Sequence, residues 1–265
     1  MKETSMHDLL DDYAHCNALR TASPGLKLLF GLGAMLLCVA SSSPVAPLFI
    51  AATMSLATVG LAKIPGRFYG TLLLIPSSFS ILSAAVVAFM HGGGEQIFAF
   101  HVLGIDLGIR EDGANLALLL IARTLGGMCS LLFIALTTPM LEIFSLGKSL
   151  GLPDFLVELS MLMYRYIFVF LDQAAMIHSA QVMRLGDAGF KSTLSSFSML
   201  SSVLFLRSWE QGERLIVAMD SRCYDGRLDL MDRAEAAKSG AILAVAVYLA
   251  AAAAIAVLTR DALIL

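Results

Sequence analysis

Long stretches without charged residues divide this chain into apolar segments. Residues 28–62 and 68–94 contain no Asp, Glu, Lys or Arg. A bilayer span needs roughly 20 apolar residues, and we interpret the first stretch as two helices. The Ser-Ser-Ser-Pro sequence at residues 41–44 predicts the turn between them. With further apolar stretches at residues 114–136 and 239–259, the pattern predicts about five transmembrane helices.

Charged residues return between residues 141 and 238, although apolar residues remain frequent there. The uncharged pieces of this region are too short to cross a bilayer. Turn and capping signals predict one long helix from about residue 154 to 184 and a second from about 195 to 222. We interpret the region as a cytoplasmic bundle that lies against the membrane. The competing interpretation places residues 159–171 in the bilayer as a sixth span.

The composition supports a membrane protein. The chain of 265 residues is 58% hydrophobic and 15% charged, and its mean hydropathy is +0.79. Soluble domains usually carry about a quarter charged residues. The predicted fold class is therefore an all-α integral membrane protein with about five transmembrane helices and a cytoplasmic bundle that contains two long helices.

The distribution of basic residues predicts the orientation. With the N-terminus in the cytoplasm, only Arg110 and Arg260 lie outside, and cytoplasmic segments are usually enriched in Lys and Arg. The expected order is a cytoplasmic N-terminal segment, a four-helix transmembrane part, a cytoplasmic domain and a last transmembrane helix, at residues 1–25, 26–140, 141–238 and 239–259. The polar first 25 residues do not predict a cleavable signal peptide.

Two Ala-x-x-x-Arg units close the two long helices of the cytoplasmic domain. They pair Ala180 with Arg184 and Ala218 with Arg222. Residues four apart share one helix face, so each unit presents a small side chain and a guanidinium together. A small residue allows close approach of another backbone, and Arg supplies a rigid fork of donors. Each pair is therefore a candidate for docking a helix end into a partner's groove.

The chain resembles the transmembrane T component of energy-coupling factor (ECF) importers, and more narrowly the CbiQ-type subunit of cobalt or nickel uptake systems. The resemblance covers most of the chain and rests on the two Ala-x-x-x-Arg units and on four earlier signatures. These are Asp12-Tyr13-Ala14-His15 with Leu19-Arg20 and Pro24-Gly25-Leu26-Lys27, then Leu136-Thr137-Thr138-Pro139, Leu152-Pro153 and Tyr164-Arg165-Tyr166. The family's usual form is Ala-x-x-x-Arg-Gly, whereas Leu185 and Cys223 stand at the glycine positions here.

The resemblance implies a coupling subunit that is not an enzyme and holds no cofactor or metal. Two cytoplasmic ABC ATPase subunits would bind ATP, and each would receive one helix end of the coupling domain, residues 141–238. A substrate-binding membrane subunit of the CbiM type would be moved in turn. A small accessory membrane subunit and membrane lipid are further expected partners, nucleic acid is not, and the location is a bacterial or archaeal plasma membrane. A T component for another micronutrient is the alternative within this class.

Arg123 is the one charged residue inside a predicted span. An intramembrane arginine is costly unless it faces protein. One interpretation is a structural anchor bonded to carbonyls or hydroxyls of neighbouring helices. The other is a contact with the substrate-binding subunit.

A membrane serine hydrolase is the alternative from another class. Residues 147–151 match the Gly-x-Ser-x-Gly nucleophile elbow, residues 91–94 match an oxyanion-loop signature, and His178 could act as base. The predicted topology opposes this reading because a bilayer would separate Ser149 from His91. A phosphate-binding loop is also excluded, since Glu142 stands where that loop requires glycine.

The segment between the third and fourth predicted spans contains four potential metal ligands, His91, Glu95, His101 and Asp106. Their spacing fits no helical ligand pair, and the segment is predicted to be a Gly-rich external loop. We therefore expect solvated loop residues and no metal site in this chain.

Overall fold

The apolar segments form helices in the computed structural model, which describes residues 14, 17–19, 22–90, 96–102, 105–225 and 239–259. Eight helices and one pair of strands lie in this part of the chain. In chain order they are α1 (Pro24–Ala40), α2 (Val45–Leu56, continued by a π-helical turn at Ala57–Leu61), α3 (Gly66–Met90), β1 (Gln96–Val102), β2 (Ile105–Arg110), α4 (Glu111–Thr137), α5 (Met140–Ser149), α6 (Asp154–Met183), α7 (Phe190–Asp220) and α8 (Ser239–Leu258).

Helices α1, α2, α3, α4 and α8 coincide with the five predicted spans. Three of them are long and apolar enough to cross a membrane, at Gly66–Phe89, Gly113–Thr137 and Ser239–Leu258. The other two, Pro24–Ala40 and Val45–Leu61, are apolar helices of at most 17 residues, which is the lower limit for a span. Helices α6 and α7 are not among the candidates, so the described residues offer no sixth span of that length and composition.

The membrane helices pack through small residues on α4. A Cβ atom added to Gly126 would lie 2.6 Å from the Cys38 sulfur and 2.8 Å from the Pro47 carbonyl oxygen, so only glycine fits at this contact. Small residues at helix contacts let backbones approach closely in membrane proteins. On the neighbouring helices the Phe30 and Tyr248 rings lie 4.9 Å apart between centroids, which joins α8 to α1.

A two-stranded antiparallel hairpin connects α3 to α4. The strands β1 and β2 pair with His101 opposite Asp106, and the register shifts once, between Gln96 and Phe98. The prediction of a loop between residues 91 and 110 was therefore wrong for most of it. The residues from Ile105 to Arg110 alternate apolar and other side chains with the period of a strand, which the prediction overlooked. The helical elements confirm the all-α membrane class, and the hairpin is an addition to it.

The described residues divide into two compact units. One lies within Met1–Ile143 and Ala234–Leu265 and contains the five apolar helices, while the other lies within Phe144–Arg233 and contains α6 and α7. Both long helices predicted for the cytoplasmic region are present. Helix α7 has no buried residue along its 31 positions. None of its side chains is therefore fully covered within the part of the chain that the structure describes.

Candidate functional site

Helix α6 ends in a Schellman motif that contains Arg184. The N–H of Leu185 donates to the Val182 carbonyl at 3.0 Å, and the N–H of Gly186 donates to the Gln181 carbonyl at 2.9 Å. Leu185 has a φ of +59°, the left-handed conformation that this motif requires and that glycine usually supplies. These bonds satisfy the last carbonyls of the helix and place Arg184 directly after its last residue, at the C-cap.

The end of helix α7 repeats the same hydrogen-bond pattern around Arg222. The N–H of Cys223 donates to the Asp220 carbonyl at 3.0 Å, and the N–H of Tyr224 donates to the Met219 carbonyl at 3.1 Å. Cys223 has a φ of +54°. Both residues that replace the glycines of the usual Ala-x-x-x-Arg-Gly pattern thus keep the backbone conformation that glycine favours.

The Ala and Arg residues occupy equivalent positions at the two ends. In each unit Arg is followed directly by the left-handed residue, and Ala lies one helical turn before Arg. Ala180, Arg184, Ala218 and Arg222 are all exposed. Within the described residues neither guanidinium forms a salt bridge, in contrast to Arg214, which pairs with Glu210 at 3.7 Å. Two guanidinium forks are therefore available to a partner.

A contact with helix α6 supports the end of helix α7. The Tyr224 hydroxyl donates to Oε2 of Glu158 at 2.7 Å, and Glu158 is 7% exposed in the first turns of α6. This hydrogen bond raises the pKa of Tyr224, because ionised phenolate would lose the bond and face a carboxylate. The phenol therefore keeps its proton and donates at neutral pH.

A second contact supports the end of helix α6. The Gln181 side-chain amide donates to the Ser196 carbonyl at 2.9 Å, and the Ser196 hydroxyl donates to the Gly186 carbonyl at 3.2 Å. A Cβ atom on Gly186 would lie only 2.7 Å from the Ser196 hydroxyl oxygen. Gly186 is therefore needed for this close approach, whereas the left-handed position next to it is filled by Leu185.

The two contacts place the Arg-bearing ends beside opposite ends of α6. Arg184 follows the last residue of this helix, whereas the turn after Arg222 contacts Glu158 near its beginning. Glu158 and Arg184 are 26 positions apart, which corresponds to about 39 Å at 1.5 Å per helical residue. The two Arg-bearing ends are therefore well separated along the helix pair.

Arg123 bonds to the turn between α1 and α2. Its Nε donates to the Ser41 carbonyl at 3.1 Å, and a terminal nitrogen donates to the same oxygen. Ser41 is 2% exposed. This is the geometry that a structural anchor would have, and a contact of Arg123 with another subunit stays a prediction.

Polar side chains also cap the end of α4. The Asn17 amide donates to the carbonyls of Leu136 and Thr137 at 3.2 Å each. The Lys27 ammonium donates to the Thr137 carbonyl at 3.2 Å and lies 3.7 Å from a carboxylate oxygen of Glu142. The last carbonyls of a helix lack partners within it, so these donors stabilise the point where α4 gives way to α5. No sequence motif marks Asn17 or Glu142 for this structural role.

The local structure required for a nucleophile elbow is not present around Ser149. Ser149 is the last residue of helix α5, and its hydroxyl donates to the Leu146 carbonyl at 2.7 Å. An elbow needs a turn from a strand into a helix. His91 and its glycines, like Glu95, lie outside the described residues. Within the described residues no group of three or more His, Cys, Asp or Glu side chains could hold a metal ion.

Together these features define a multi-pass membrane protein with a separate pair of long helices that end in two equivalent Arg-bearing turns. A family model described as "Cobalt transport protein", CbiQ, matches residues 15–231, which is most of the chain. The chain therefore belongs to the CbiQ family of cobalt transport proteins.

Similar proteins come from archaea and bacteria. A protein of Methanocorpusculum labreanum, named as a fused CbiMQ cobalt transport protein, is 48% identical over 223 residues. That match covers 84% of this chain but only 37% of the fused relative. An uncharacterized protein of Methanocaldococcus jannaschii is 40% identical over 96% of this chain and 95% of its own length. The cobalt transport protein CbiQ of Rhodobacter capsulatus is 28% identical over 80% of this chain and 82% of its own length.

Proposed function

We propose that this chain is the transmembrane coupling subunit of an ECF-type ABC importer for cobalt, or alternatively nickel. It transmits the motion of two cytoplasmic ABC ATPase subunits to a substrate-binding membrane subunit. One ATPase receives the helix end with Ala180 and Arg184, and the other receives the end with Ala218 and Arg222. ATP is bound by the ATPases, and this chain catalyses no reaction.

The repeated geometry of the two helix ends carries this proposal. Two Schellman turns place Ala and Arg in the same relative positions, with both side chains exposed. Two ATPase subunits offer two grooves, and two equivalent ends about 39 Å apart along α6 suit that arrangement. A guanidinium that enters a groove needs acceptors there, because burying an unpaired charge is costly.

The partner proposal draws on the fused relative. Its name combines CbiM with CbiQ, and this chain matches about a third of its length. We therefore infer that a CbiM-like membrane subunit binds the metal ion and associates with this chain. A small accessory membrane subunit and the lipid of a bacterial or archaeal plasma membrane complete the expected surroundings.

We also propose that the N-terminus is cytoplasmic. Asn17 and Lys27 contact the end of α4, and the N–H of Ala18 lies 3.5 Å from the Ala62 carbonyl just after α2. The start of α1 and the ends of α2 and α4 therefore lie on one side. Lys27 and Lys63 are on that side, and basic residues favour the cytoplasm.

Substitution of the two arginines tests the proposal. In the complex with its ATPases and CbiM-like subunit, Arg184→Ala with Arg222→Ala should abolish cobalt uptake and reduce co-purification of the ATPases. Arg222→Lys alone should restore little of the function that Arg222→Ala loses, because an ammonium cannot replace the planar fork.

Arg214→Ala is the matched control, since Arg214 is also exposed on α7 but lies two turns before the helix end and pairs with Glu210. It should leave uptake and co-purification at the level of the unmodified protein. Uptake at that level by the double Arg184/Arg222 variant, with equal amounts in the membrane, would contradict the coupling role.

A further inference from the structure

Each Arg-bearing end forms a hydrogen bond with the other long helix: the end of α7 bonds to α6, and the end of α6 bonds to α7. The end of α7 is held by Tyr224 and Glu158, which we name the distal brace. The end of α6 is held by Gln181, Ser196 and Gly186, which we name the turn brace. Neither brace uses the Ala or Arg residues themselves.

We propose that the two braces are positioning devices that set the direction of Arg222 and Arg184 and make the two coupling ends move together with the helix pair. This inference rests on the proposed function, because it assigns a role to residues that act through those arginines. Tyr224, Glu158, Gln181 and Ser196 touch neither ATP nor the metal ion; they are positioning residues.

The need for such braces follows from the position of the arginines. Arg184 and Arg222 stand at helix ends, where backbone hydrogen bonds are fewest and fraying is easiest. Both are followed by a non-glycine residue with positive φ, a conformation that L-residues adopt at a cost. A side-chain hydrogen bond at a residue within three positions of each arginine offsets that cost and keeps the turn formed.

The distal brace is a strong contact of its kind. Its acceptor is a carboxylate, Glu158 is 7% exposed, and the donor–acceptor distance is 2.7 Å. Hydrogen bonds to ionised groups are stronger than neutral ones. Because Tyr224 also donates the backbone bond that closes the Schellman turn, the same residue closes the turn and ties it to α6.

The turn brace depends on the close approach of the end of α6 to Ser196 of α7. Gln181 contributes its backbone carbonyl to the Schellman turn and its side-chain amide to Ser196. Ser196 returns a hydrogen bond to Gly186. The end of α6 is therefore linked to α7 by two hydrogen bonds that cross from one helix to the other.

Removal of either brace should increase the local opening of its own turn and leave the other turn unchanged. Amide hydrogen exchange on the full chain in lipid nanodiscs, without ATPases, reports the stability of each turn. Tyr224→Phe should increase exchange in residues 221–225 about tenfold and leave residues 184–188 unchanged. Gln181→Met should do the reverse, since methionine keeps the helix propensity and length of the side chain but removes the amide. A tenfold change is the usual size for loss of one such hydrogen bond.

Two further variants separate positioning from a general loss of stability. Glu158→Gln keeps an acceptor for the phenol but removes its charge, so exchange in residues 221–225 should rise less than it does with Tyr224→Phe. Tyr166→Phe removes a hydroxyl from the same helix pair, where the ring contacts Phe170, and should change neither turn. Equal acceleration of both turns by Tyr224→Phe, or no acceleration by either brace variant, would overturn the proposal.

The functional measurement is the number of cobalt ions imported per ATP hydrolysed by the assembled complex. Tyr224→Phe and Gln181→Met should lower this ratio several-fold, and Glu158→Gln should lower it less than Tyr224→Phe does. If exchange changes as expected but Arg184→Ala and Arg222→Ala leave the ratio intact, the proposed coupling role fails and the braces are only structural. If the arginine variants lower the ratio and the brace variants do not, the positioning role fails.

Discussion

Leu185 and Cys223 hold a backbone conformation that normally selects glycine, and both are exposed. The left-handed region costs an L-residue roughly 1–2 kcal/mol relative to a right-handed one. Neither side chain compensates by burial: Leu185 is 76% exposed. The hydrogen bonds of the turn therefore offset the cost of the left-handed conformation. Because that cost remains, a residue that adopts the conformation without strain should increase the free energy of unfolding.

Glycine at these positions should stabilise the chain. We expect Leu185→Gly or Cys223→Gly to raise the free energy of unfolding by about 1 kcal/mol, the relief of left-handed strain less the flexibility that glycine adds. Thermal unfolding of the purified chain in detergent measures this change. Leu150→Gly is the control, because Leu150 is 79% exposed and does not have positive φ. It should destabilise, and equal destabilisation by Leu185→Gly would contradict the strain argument.

The small residues of the two units give a second prediction at this scale. If Ala180 and Ala218 face ATPase grooves, Ala180→Trp or Ala218→Trp should overpack the contact at a cost of about 1–3 kcal/mol. About 1.4 kcal/mol lowers affinity tenfold, so co-purification of the ATPases should fall. Ala175→Trp, at another exposed alanine of α6, should not reduce it. Full co-purification with Trp at both sites would mean that these positions do not face the ATPases.

The Ala and Arg positions can be recognised from the sequence alone, because a spacing of four residues is a local signal. The residues that support them carry no such signal. Tyr224 and Glu158 are 66 positions apart, so only the packing of α7 beside α6 brings them together. The departure from glycine at 185 and 223 was visible, but the backbone conformation that follows from it needed the structure.

At the scale of the elements, most helix boundaries follow from charge and turn signals. Helix α6 begins at residue 154 directly after Pro153, as predicted. Helix α7 begins at Phe190, five residues before the predicted start. No capping residue marks that start: Gly189 precedes the helix and makes no side-chain cap. The glycines at residues 92–94 predict a loop, but this signal is local and does not extend over the strands that follow.

The capped end of α4 gives the prediction at this scale. Lys27→Met removes a donor to Thr137 and the ion pair with Glu142, where the lysine side chain is 3% exposed and the glutamate 31%. Loss of such a partner should cost about 1–3 kcal/mol of unfolding free energy. In a double-mutant cycle, Glu142→Gln should cost less in the Lys27→Met background than alone.

Lys148→Met is the control for this cycle. Its pair with Asp154 joins side chains that are 52% and 43% exposed, and exposed pairs contribute about 0–1 kcal/mol. Both variants are compared by thermal unfolding under the same conditions. If Lys27→Met lowers the free energy of unfolding no more than Lys148→Met does, the cap of α4 is not a stabilising element.

At the scale of the whole molecule, the chain combines five apolar helices with a helix pair that carries both Arg-bearing turns. Composition and charge pattern were enough to predict this combination, since bilayer thickness fixes the length of a span. Which side of the membrane the helix pair and the hairpin each occupy depends on the proposed orientation. Orientation is therefore the property of the whole molecule that most needs a direct measurement.

Cysteine labelling tests the orientation. Cys223 is exposed, whereas Cys38 and Cys129 are buried, so native Cys223 is a ready reporter once Cys16 is replaced by serine. A membrane-impermeant maleimide should label Cys223 only after the cells are permeabilised. In a chain without Cys223, Asp106→Cys in the hairpin should be labelled in intact cells. The reverse pattern would place the N-terminus outside and contradict the coupling model.

The lack of any buried residue on α7 has a consequence for the life of the protein in the cell. Phe190, Phe197 and Trp209 are each at least 64% exposed in the isolated chain, and apolar surface of this extent is a target for chaperones and proteases. A subunit whose surface is covered only by partners has a stability that depends on their concentration. Copies synthesised in excess should therefore be degraded, so that the amount of transporter follows its scarcest subunit. A pulse-chase measurement should show a shorter half-life for this chain when the genes for its partners are deleted.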